Sequence, residues 1–258
     1  MIEIKQLTKS YGDLVAVDHV TLTIPRGQIC GYLGPNGAGK TTTIQLLAGM
    51  MGPTEGTAKV AGFDVVENPI EVKKRIGYVP ESGAVYQSLT PHEYLSFIGR
   101  LYRMDESSIP GRIDEFAEFF QIQDALHQRM STFSKGMKQK VVIASALIHS
   151  PEVIFLDEPL NGLDSNAALL LKELLRNLSD QGITVFYSSH ILEVVEHLCD
   201  RVVIIDRGKI IADGSVNELK EMTRKPSLES VFSHITHAED VEALAKAFSK
   251  TMIKDHPR

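Results

Sequence analysis

The most informative octapeptide of this chain reads Gly34-Pro35-Asn36-Gly37-Ala38-Gly39-Lys40-Thr41. It fits the pattern G-x-x-x-x-G-K-[ST], with an apolar run at residues 28–33 before it and a helical pattern from about residue 40 after it. A strand, a glycine-rich loop and a helix in this order are the context that a phosphate-binding loop requires. Backbone N–H groups brought together by the glycines, with the positive end of the helix dipole, suit an anion. The sequence therefore predicts a nucleoside triphosphate site rather than a plain glycine-rich turn.

Two side chains of this loop have predicted roles of their own. Lys40 is expected to reach the β- and γ-phosphates, and the hydroxyl of Thr41 is expected to ligate Mg²⁺. Thr42 follows in the same turn of helix and is counted with the eight loop residues as a nucleotide contact.

The bulk composition narrows the class of protein. A chain of 258 residues, 43% apolar and 23% charged, is long enough for one large domain or two small ones with a sizeable core. A net charge of -6 gives no general attraction to nucleic acid or anionic lipid. Cys30 and Cys199 have no metal-ligand spacing and are interpreted as buried thiols in a reducing compartment. Every apolar run is far shorter than the ~20 residues that span a bilayer, so no membrane span is expected.

Strand and helix patterns are distributed unevenly along the chain. Strands are predicted at residues 2–7, 20–24, 28–33, 57–61, 75–79, 153–157, 183–188 and 201–206, followed by a hairpin turn at 206–208 and a strand at 209–212. Helices are predicted at 91–103, 109–120, 135–149, 163–181 and 190–199. Because strands alternate with helices, we expect an α/β fold with parallel βαβ units and a helical insertion at about 89–150.

The pattern weakens beyond residue 223. Residues 227–232 (SLESVF) suggest a docking turn, and residues 238–252 suggest a short amphipathic helix within a tail of residues 237–258. Packing or fraying is favoured for that helix over a membrane or partner surface.

A second motif closes the buried strand predicted at 153–157. It ends in Asp157 and Glu158, whose side chains point to different places because side-chain direction alternates along a strand. Asp157 is predicted to hold Mg²⁺, and Glu158 is predicted to orient or deprotonate an attacking water. A D-E pair at a strand end is common, but this one follows a phosphate-binding loop by the 117 positions from Lys40 to Asp157.

With these motifs, the chain resembles the nucleotide-binding subunit of ATP-binding-cassette (ABC) transporters over residues 1–236. In that family a signature, Leu-Ser-Gly-Gly-Gln, precedes the D-E strand; here Phe133-Ser134-Lys135-Gly136-Met137 stands in its place. The resemblance implies that Ser134, Lys135 and Gly136 bind the γ-phosphate of ATP held by the other subunit of a head-to-tail dimer. A serine and the N–H groups of a helix start suit that anion, and Lys135 adds a cation where glycine is usual.

The resemblance assigns four further positions. Tyr11 matches the aromatic residue that stacks on adenine, and Asp164 matches the carboxylate of the loop crossing the dimer interface. His190 matches the histidine that contacts the γ-phosphate. Glu81 occupies the place of a usual glutamine that senses Mg²⁺ and water, and a carboxylate is a better Mg²⁺ ligand than an amide.

The resemblance also implies the overall plan and the activity. It implies a P-loop NTPase core of the ABC ATPase type, with an N-terminal antiparallel β subdomain and the inserted helical subdomain, using ATP and Mg²⁺. The expected partners are a second cassette, the same chain or a related one, and an integral membrane permease docked near residues 81–93. No nucleic acid partner is expected, and the expected place is the cytoplasmic face of the cell membrane. The motifs are similar to those of ABC-2 type systems, mostly exporters.

Two alternatives remain open at the level of the sequence. The first is a soluble cassette ATPase acting on DNA or ribosomes, although such relatives typically carry long coiled-coil insertions or paired cassettes. The second is a cassette that binds ATP without turnover, which the departures at Glu81 and Lys135 keep in view.

Overall fold

Two β-sheets organise the part of the chain that the computed structural model describes, residues 1–83 and 85–236. The strands are β1 (Ile2–Tyr11), β2 (Leu14–Ile24), β3 (Ile29–Leu33), β4 (Glu55–Val60), β5 (Phe63–Asp64), β6 (Ile76–Val79), β7 (Val153–Asp157), β8 (Thr184–Ser188), β9 (Arg201–Asp206) and β10 (Lys209–Gly214). One sheet has the order β2-β1-β4-β5 and is antiparallel. The other has the order β10-β9-β3-β8-β7-β6.

The six-stranded sheet is parallel from β9 to β6, and only β10 pairs antiparallel, with β9. All residues of β3, β7 and β8 are buried, as expected for a parallel sheet covered on both faces. Alternation along β7 shows the two layers: Val153 and Phe155 belong to one apolar cluster, and Ile154 and Leu156 to the other. The carboxyl ends of these strands therefore emerge from a rigid, doubly covered sheet.

The helices pack on both faces of this sheet. They are α1 (Lys40–Leu47), α2 (Pro69–Lys73), α3 (Pro91–Leu101), α4 (Ile109–Phe120), α5 (Lys135–Leu147), α6 (Ser165–Asp180), α7 (Leu192–Leu198), α8 (Val216–Thr223) and α9 (Leu228–Ile235). Helix α1 shares an apolar cluster with the four-stranded sheet, so it lies between the two sheets. The other cluster lies on the opposite face of the six-stranded sheet and includes residues of the helices from α3 through α9.

Helices α3, α4 and α5 follow one another between β6 and β7, with two short 3-10 helices before α5. They contact each other through α3–α4 and α3–α5, and α5 also contacts β6. This places the predicted helical insertion of residues 89–150 beside the sheet edge formed by β6.

The structure corrects several predicted elements. Residues 227–232 are not a docking turn, because they begin helix α9, which Ser227 caps by accepting a hydrogen bond from the Ser230 N–H. Strand β2 begins six residues earlier than predicted, and β5, α2 and α8 were not predicted. The hairpin between β9 and β10 is confirmed, with positive φ at Arg207 and Gly208. The predicted tail helix at 238–252 lies outside the described residues.

Membrane-spanning potential is absent from this part of the molecule. In residues 1–83 and 85–236, no helix is both long enough and apolar enough to cross a bilayer.

Candidate functional site

The loop between β3 and α1 depends on glycine at two positions. Gly39 has φ of 106°, and a Cβ there would lie 2.2 Å from the Ala16 carbonyl oxygen. At Gly34 a Cβ would lie 2.3 Å from the Ile205 carbonyl oxygen. The loop is therefore pressed against the β1–β2 turn region and the end of β9, which fixes its backbone.

Lys40 closes over the loop that precedes it. Its Nζ donates to the carbonyl oxygens of Gly34 at 2.7 Å and Pro35 at 3.1 Å. Burial lowers the pKa of Lys40 below its ordinary value, while the charges of Glu158, Asp157 and Glu81 act in the opposite direction. The ammonium group is thus held by the loop and lies within electrostatic range of three carboxylates.

Asp157, the last residue of β7, lies against the first turn of α1. The Thr41 hydroxyl donates to Asp157 Oδ2 at 2.7 Å, and Asp157 is 1% exposed. Because β7 is an inner strand that lies between β8 and β6, this contact joins the first turn of α1 to the rigid sheet.

Glu158 turns away from the strand into a different environment. Its φ is 50°, its N–H donates to the Ser188 carbonyl oxygen at 2.9 Å, and its side chain is almost fully buried. His190 Nδ1 lies 2.7 Å from Glu158 Oε1, and the Ser189 hydroxyl donates to Oε2 at 3.1 Å. Both carboxylate oxygens are therefore held, while the His190 side chain stays 62% exposed.

One cavity of about 740 Å³ collects most of the predicted site. Its lining comprises Tyr11, Leu14, Ala16, Gly34, Pro35, Asn36, Gly37, Gly39, Lys40, Thr41, Thr42, Glu81, Asp157, Glu158, Ser189, His190, Leu192 and Phe232. Ala38 is the loop residue that lies beneath this lining: it is 2% exposed, and its N–H donates to the Pro35 carbonyl oxygen at 3.1 Å.

Tyr11 is the last residue of β1, an inner strand of the four-stranded sheet, and it borders this cavity. Its ring is about half exposed, and its hydroxyl lies 3.2 Å from Met51 Sδ. The Lys9 ammonium nitrogen lies 5.3 Å from the ring centroid. An exposed aromatic face that borders the cavity is available for stacking on a planar base.

Ser134 and Gly136 do not join this cavity within the described chain. Ser134 caps α5, since its Oγ accepts a hydrogen bond from the Met137 N–H at 3.2 Å. At Gly136, a Cβ would lie 2.4 Å from the Gly162 carbonyl oxygen. The start of α5 therefore packs tightly on residues 161–164.

Asp164 belongs to the same contact region. Its Oδ1 accepts a hydrogen bond from the Ala167 N–H at 2.9 Å, which caps α6, and its Oδ2 lies 3.6 Å from Lys140 Nζ on α5. These contacts lower the pKa of Asp164, the Ala167 hydrogen bond most and the Lys140 charge less. Gln139 strengthens the junction by donating to the Pro159 carbonyl oxygen at 3.0 Å.

Glu81 lies on the loop after β6 and borders two cavities. It lines the large cavity and also a second one of about 620 Å³, shared with Lys135, Lys138 and Asp157. Burial raises the pKa of Tyr78 to about 12, and the charges of Asp157 and Glu81 add to this rise. Glu81 and Lys135, two of the positions that depart from the usual family pattern, thus border one cleft.

The donors near Thr41 fit Mg²⁺ in kind. A hydroxyl and a carboxylate 2.7 Å apart, with Glu81 on the same cavity, supply the hard oxygen ligands that Mg²⁺ takes together with phosphate oxygens. Within the described ranges, no cluster of three or more His, Cys, Asp or Glu side chains could hold a metal ion.

Two contacts were not predicted from the sequence. Ser189 bonds Glu158, and a hydroxyl next to His190 at a strand end was the available signal. Phe232 reaches the cavity from α9, and no sequence signal connects it to a site some 190 residues earlier.

The comparisons with known proteins show the family of this chain. The family profile described as ABC transporter matches residues 17–161, more than half of the chain. This chain belongs to the ABC transporter family. It is an ATP-binding subunit of that family and an ATPase.

Curated relatives share most of the chain. ABC transporter ATP-binding protein NatA of Bacillus subtilis (strain 168) is 42% identical over 219 residues, covering 84% of this chain and 89% of the relative. Bacitracin transport ATP-binding protein BcrA of Bacillus licheniformis is 39% identical, covering 87% and 73%. Daunorubicin/doxorubicin resistance ATP-binding protein DrrA of Streptomyces peucetius is 38% identical, covering 85% and 66%.

Solved structures show the same fold. An ATP-binding subunit of an ABC transporter superposes with a TM-score of 0.87 at 31% identity, covering 92% of this chain and 99% of the other. An ATP-binding cassette solved as a dimer in a post-hydrolysis state with ADP and Pi has a TM-score of 0.77 at 25% identity, covering 83% and 98%. The fold predicted from the sequence, an ABC-type P-loop core, is confirmed. No relative or structure named here is described as acting on DNA or ribosomes.

Proposed function

We propose that this subunit hydrolyses ATP at the cavity beside β7 and drives export through a separate permease. The observation that carries the proposal is the arrangement of two contacts at one strand end. Thr41 bonds Asp157, and His190 bonds Glu158, so the residues suited to a metal and the residues suited to water lie side by side.

The loop residues bind the triphosphate in this proposal. Backbone N–H groups of the glycine-rich loop and of the start of α1 face the phosphates, apart from Pro35, which has no N–H, and Ala38, whose N–H bonds the Pro35 carbonyl oxygen. Lys40 exchanges its carbonyl partners for phosphate oxygens. Tyr11 stacks on the adenine ring at the other border of the cavity. Thr41, Asp157 and Glu81 would hold Mg²⁺, which would supply positive charge that neutralises the phosphate groups.

Glu158 and His190 act on the attacking water. Glu158 accepts a proton from the water while the oxygen of that water forms a bond to the γ-phosphorus. The bond from the γ-phosphorus to the bridging oxygen breaks, and that oxygen leaves with ADP. With Nδ1 directed at Glu158, His190 presents the other edge of its ring towards the cavity. Ser189 keeps the second carboxylate oxygen from rotating.

A second copy of the cassette completes each site. Ser134 accepts the Met137 N–H with its oxygen, which leaves its hydroxyl hydrogen available for a phosphate oxygen. Ser134 and Gly136 do not line the cavity that holds Lys40 of their own chain, and we infer that they serve the ATP of the partner copy. We assign Lys135, which stands between them and borders the second cavity with Thr41 and Asp157, to the same role. Asp164 then lies at the junction between the two copies.

The permease partner and the direction of transport follow from the family and from the relatives' names. ATP-binding subunits of ABC transporters work with membrane permeases, and two relatives are described by bacitracin transport and by drug resistance. We infer export by an ABC-2 type system, with this subunit on the cytoplasmic face of the membrane. We assign permease docking to a surface formed by roughly residues 81–93, a range that ends in the first turn of α3.

Phosphate release tests the catalytic part of the proposal. The Glu158→Gln variant keeps size and hydrogen bonding but loses the proton acceptor, so its turnover should fall by about 100-fold or more. ATP binding, measured with a fluorescent analogue, should stay close to that of the wild type. Equal phosphate release by the two proteins would leave a cassette that binds ATP without turnover.

Recovery of the partner tests the transport part. Tagged Glu158→Gln protein with ATP should capture a multi-span protein in stoichiometric yield from detergent-solubilised native membranes, identified by mass spectrometry. The Lys40→Ala variant serves as the control, since it should not reach the ATP-bound state. Recovery of ribosomes or DNA instead would favour the soluble alternative.

A further inference from the structure

Helix α9 is firmly attached to the helix that follows His190. Leu228 and Val231 of α9 are fully buried. The Leu228 N–H donates to Glu196 Oε2 on α7 at 3.1 Å, and Glu196 also forms an ion pair with Lys220 of α8. Helices α7, α8 and α9 are thereby joined by both apolar packing and charge.

Helix α7 in turn begins directly after the residues that hold Glu158. We call Ser189–Leu192 the histidine segment. The Ile191 N–H donates to the Ser189 hydroxyl oxygen at 3.1 Å, and the Val194 N–H donates to the Ile191 carbonyl oxygen at 3.1 Å. A change in the position of α7 would therefore move the backbone that bears His190.

Phe232 extends α9 into the nucleotide cavity. Its half-buried side chain lines the cavity together with His190 and Leu192, and it packs on the same apolar cluster as Leu192. A phenyl ring offers no ligand to a phosphate or to Mg²⁺, so its contribution there is to fill space and exclude water.

We propose that Phe232 is a positioning residue for His190: it packs beside the histidine segment and restrains it, so that α9 sets the geometry of hydrolysis. His190 needs such support because its side chain is 62% exposed, so that little packing around the ring holds it in place. Its hydrogen bond to Glu158 then depends on where the backbone of the segment lies. The inference rests on the catalytic roles proposed above for Glu158 and His190.

Truncation of Phe232 should weaken this support without removing any group that binds ATP. In Phe232→Ala, the turnover number should fall about tenfold, because sub-ångström displacement of a catalytic group has effects of this order. The Kd for ATP should change less than about twofold, since no ligand group is removed. Phe232→Leu, which refills most of the space, should restore most of the rate, and Met222→Ala, on the exposed face of α8, should change neither quantity.

A nucleotide-free measurement separates this inference from the proposed function. In protein labelled with ¹⁵N-histidine, the ring signals of His190, assigned with His190→Ala, should shift in Phe232→Ala and return in Phe232→Leu. Unchanged His190 signals in a folded Phe232→Ala protein would overturn the inference, as would an ATP Kd that weakens in parallel with turnover. Should Phe232→Ala unfold, Phe232→Val carries the same test. If the wild type released phosphate no faster than Glu158→Gln, that result would instead count against the proposed function alone.

Discussion

Glu158 adopts a backbone conformation that residues other than glycine rarely take, with φ of 50°. The left-handed region costs an L-residue roughly 1–2 kcal/mol. It persists here because the Glu158 N–H bonds Ser188 and both carboxylate oxygens have partners. The strain aims the side chain at the cavity rather than along the sheet.

This strain gives a stability prediction that is independent of ATP. Glu158→Gly and Glu158→Ala both remove the carboxylate, but only glycine tolerates this φ without penalty. We expect Glu158→Gly to be more stable than Glu158→Ala by about 1 kcal/mol in urea unfolding. An alanine variant as stable as the glycine variant would contradict strain at this residue.

Glu81 makes a separate prediction about Mg²⁺. Replacing its carboxylate with an amide in Glu81→Gln weakens a hard oxygen ligand, so the Mg²⁺ concentration for half-maximal hydrolysis should rise several-fold. The control is Gln87→Ala, since Gln87 lies on the same loop but does not line either cavity described for Glu81. An unchanged Mg²⁺ dependence in Glu81→Gln would remove Glu81 from the ligand set.

At the scale of single residues, the sequence predicted how the neighbouring acids Asp157 and Glu158 are arranged. Strand alternation predicted that Asp157 and Glu158 point to different places, and they contact Thr41 and His190 respectively. Glu158, however, lies just beyond β7, and its positive φ rather than alternation sets its direction. The sequence could not show that Ser189 completes the hold on Glu158, because that contact depends on the pairing of β7 with β8 and on the unusual φ of Glu158.

At the scale of elements, His149 joins the end of α5 to the sheet and to α3. Its Nε2 lies 3.0 Å from the Ile76 carbonyl oxygen, and its ring stacks on Tyr102 with centroids 3.6 Å apart. Its Nδ1 is buried without a partner among the described residues. Because a proton on Nδ1 would place an uncompensated charge there, burial lowers the pKa of His149 to about 4.

The sign of the resulting pH effect is fixed by this lowered pKa. Between pH 6.5 and about 4, the unfolded chain binds a proton at His149 that the folded chain does not. The contribution of His149 to the free energy of unfolding is therefore fully present above the unfolded-state pKa of 6.5. It is lost as the pH drops through this window, by less than about 1.4 kcal/mol per pH unit.

The neutral variant His149→Gln isolates the effect. We expect the wild type to lose stability relative to His149→Gln when urea unfolding is compared at pH 7.5 and pH 5. A difference between the two proteins that stays constant over this range would show that His149 does not titrate on unfolding.

Elements with strong periodicity were predicted well, and those fixed by tertiary contacts were not. β7 and β9 begin and end as predicted, because their continuous apolar runs match a covered parallel sheet. Residues 227–232 were interpreted as a turn, since only burial against α7 and α8 makes this short segment helical. β2 begins earlier than its apolar pattern suggested because it follows β1 through bulges, with positive φ at Gln6 and His19.

At the scale of the whole molecule, the binding residues divide into two groups. Tyr11, the Lys40 loop and Glu158 share one cavity, while Ser134 and Asp164 lie where α5 meets residues 161–164. Lys140 and Gln139 tie that junction to the residues that follow Glu158. In the dimer that we propose, this junction would carry a change at one ATP site to the residues that serve the other site.

A mixing experiment tests most directly whether two copies of this chain share each ATP site. Lys40→Ala lacks a working loop, Ser134→Arg lacks a working signature, and each variant alone should hydrolyse ATP at background rate. Random pairing makes about half the dimers mixed, each with one complete site, so an equimolar mixture should recover about a quarter of the wild-type rate. A mixture that stays at background, with both variants folded and able to exchange partners, would contradict sites shared between two copies of this chain.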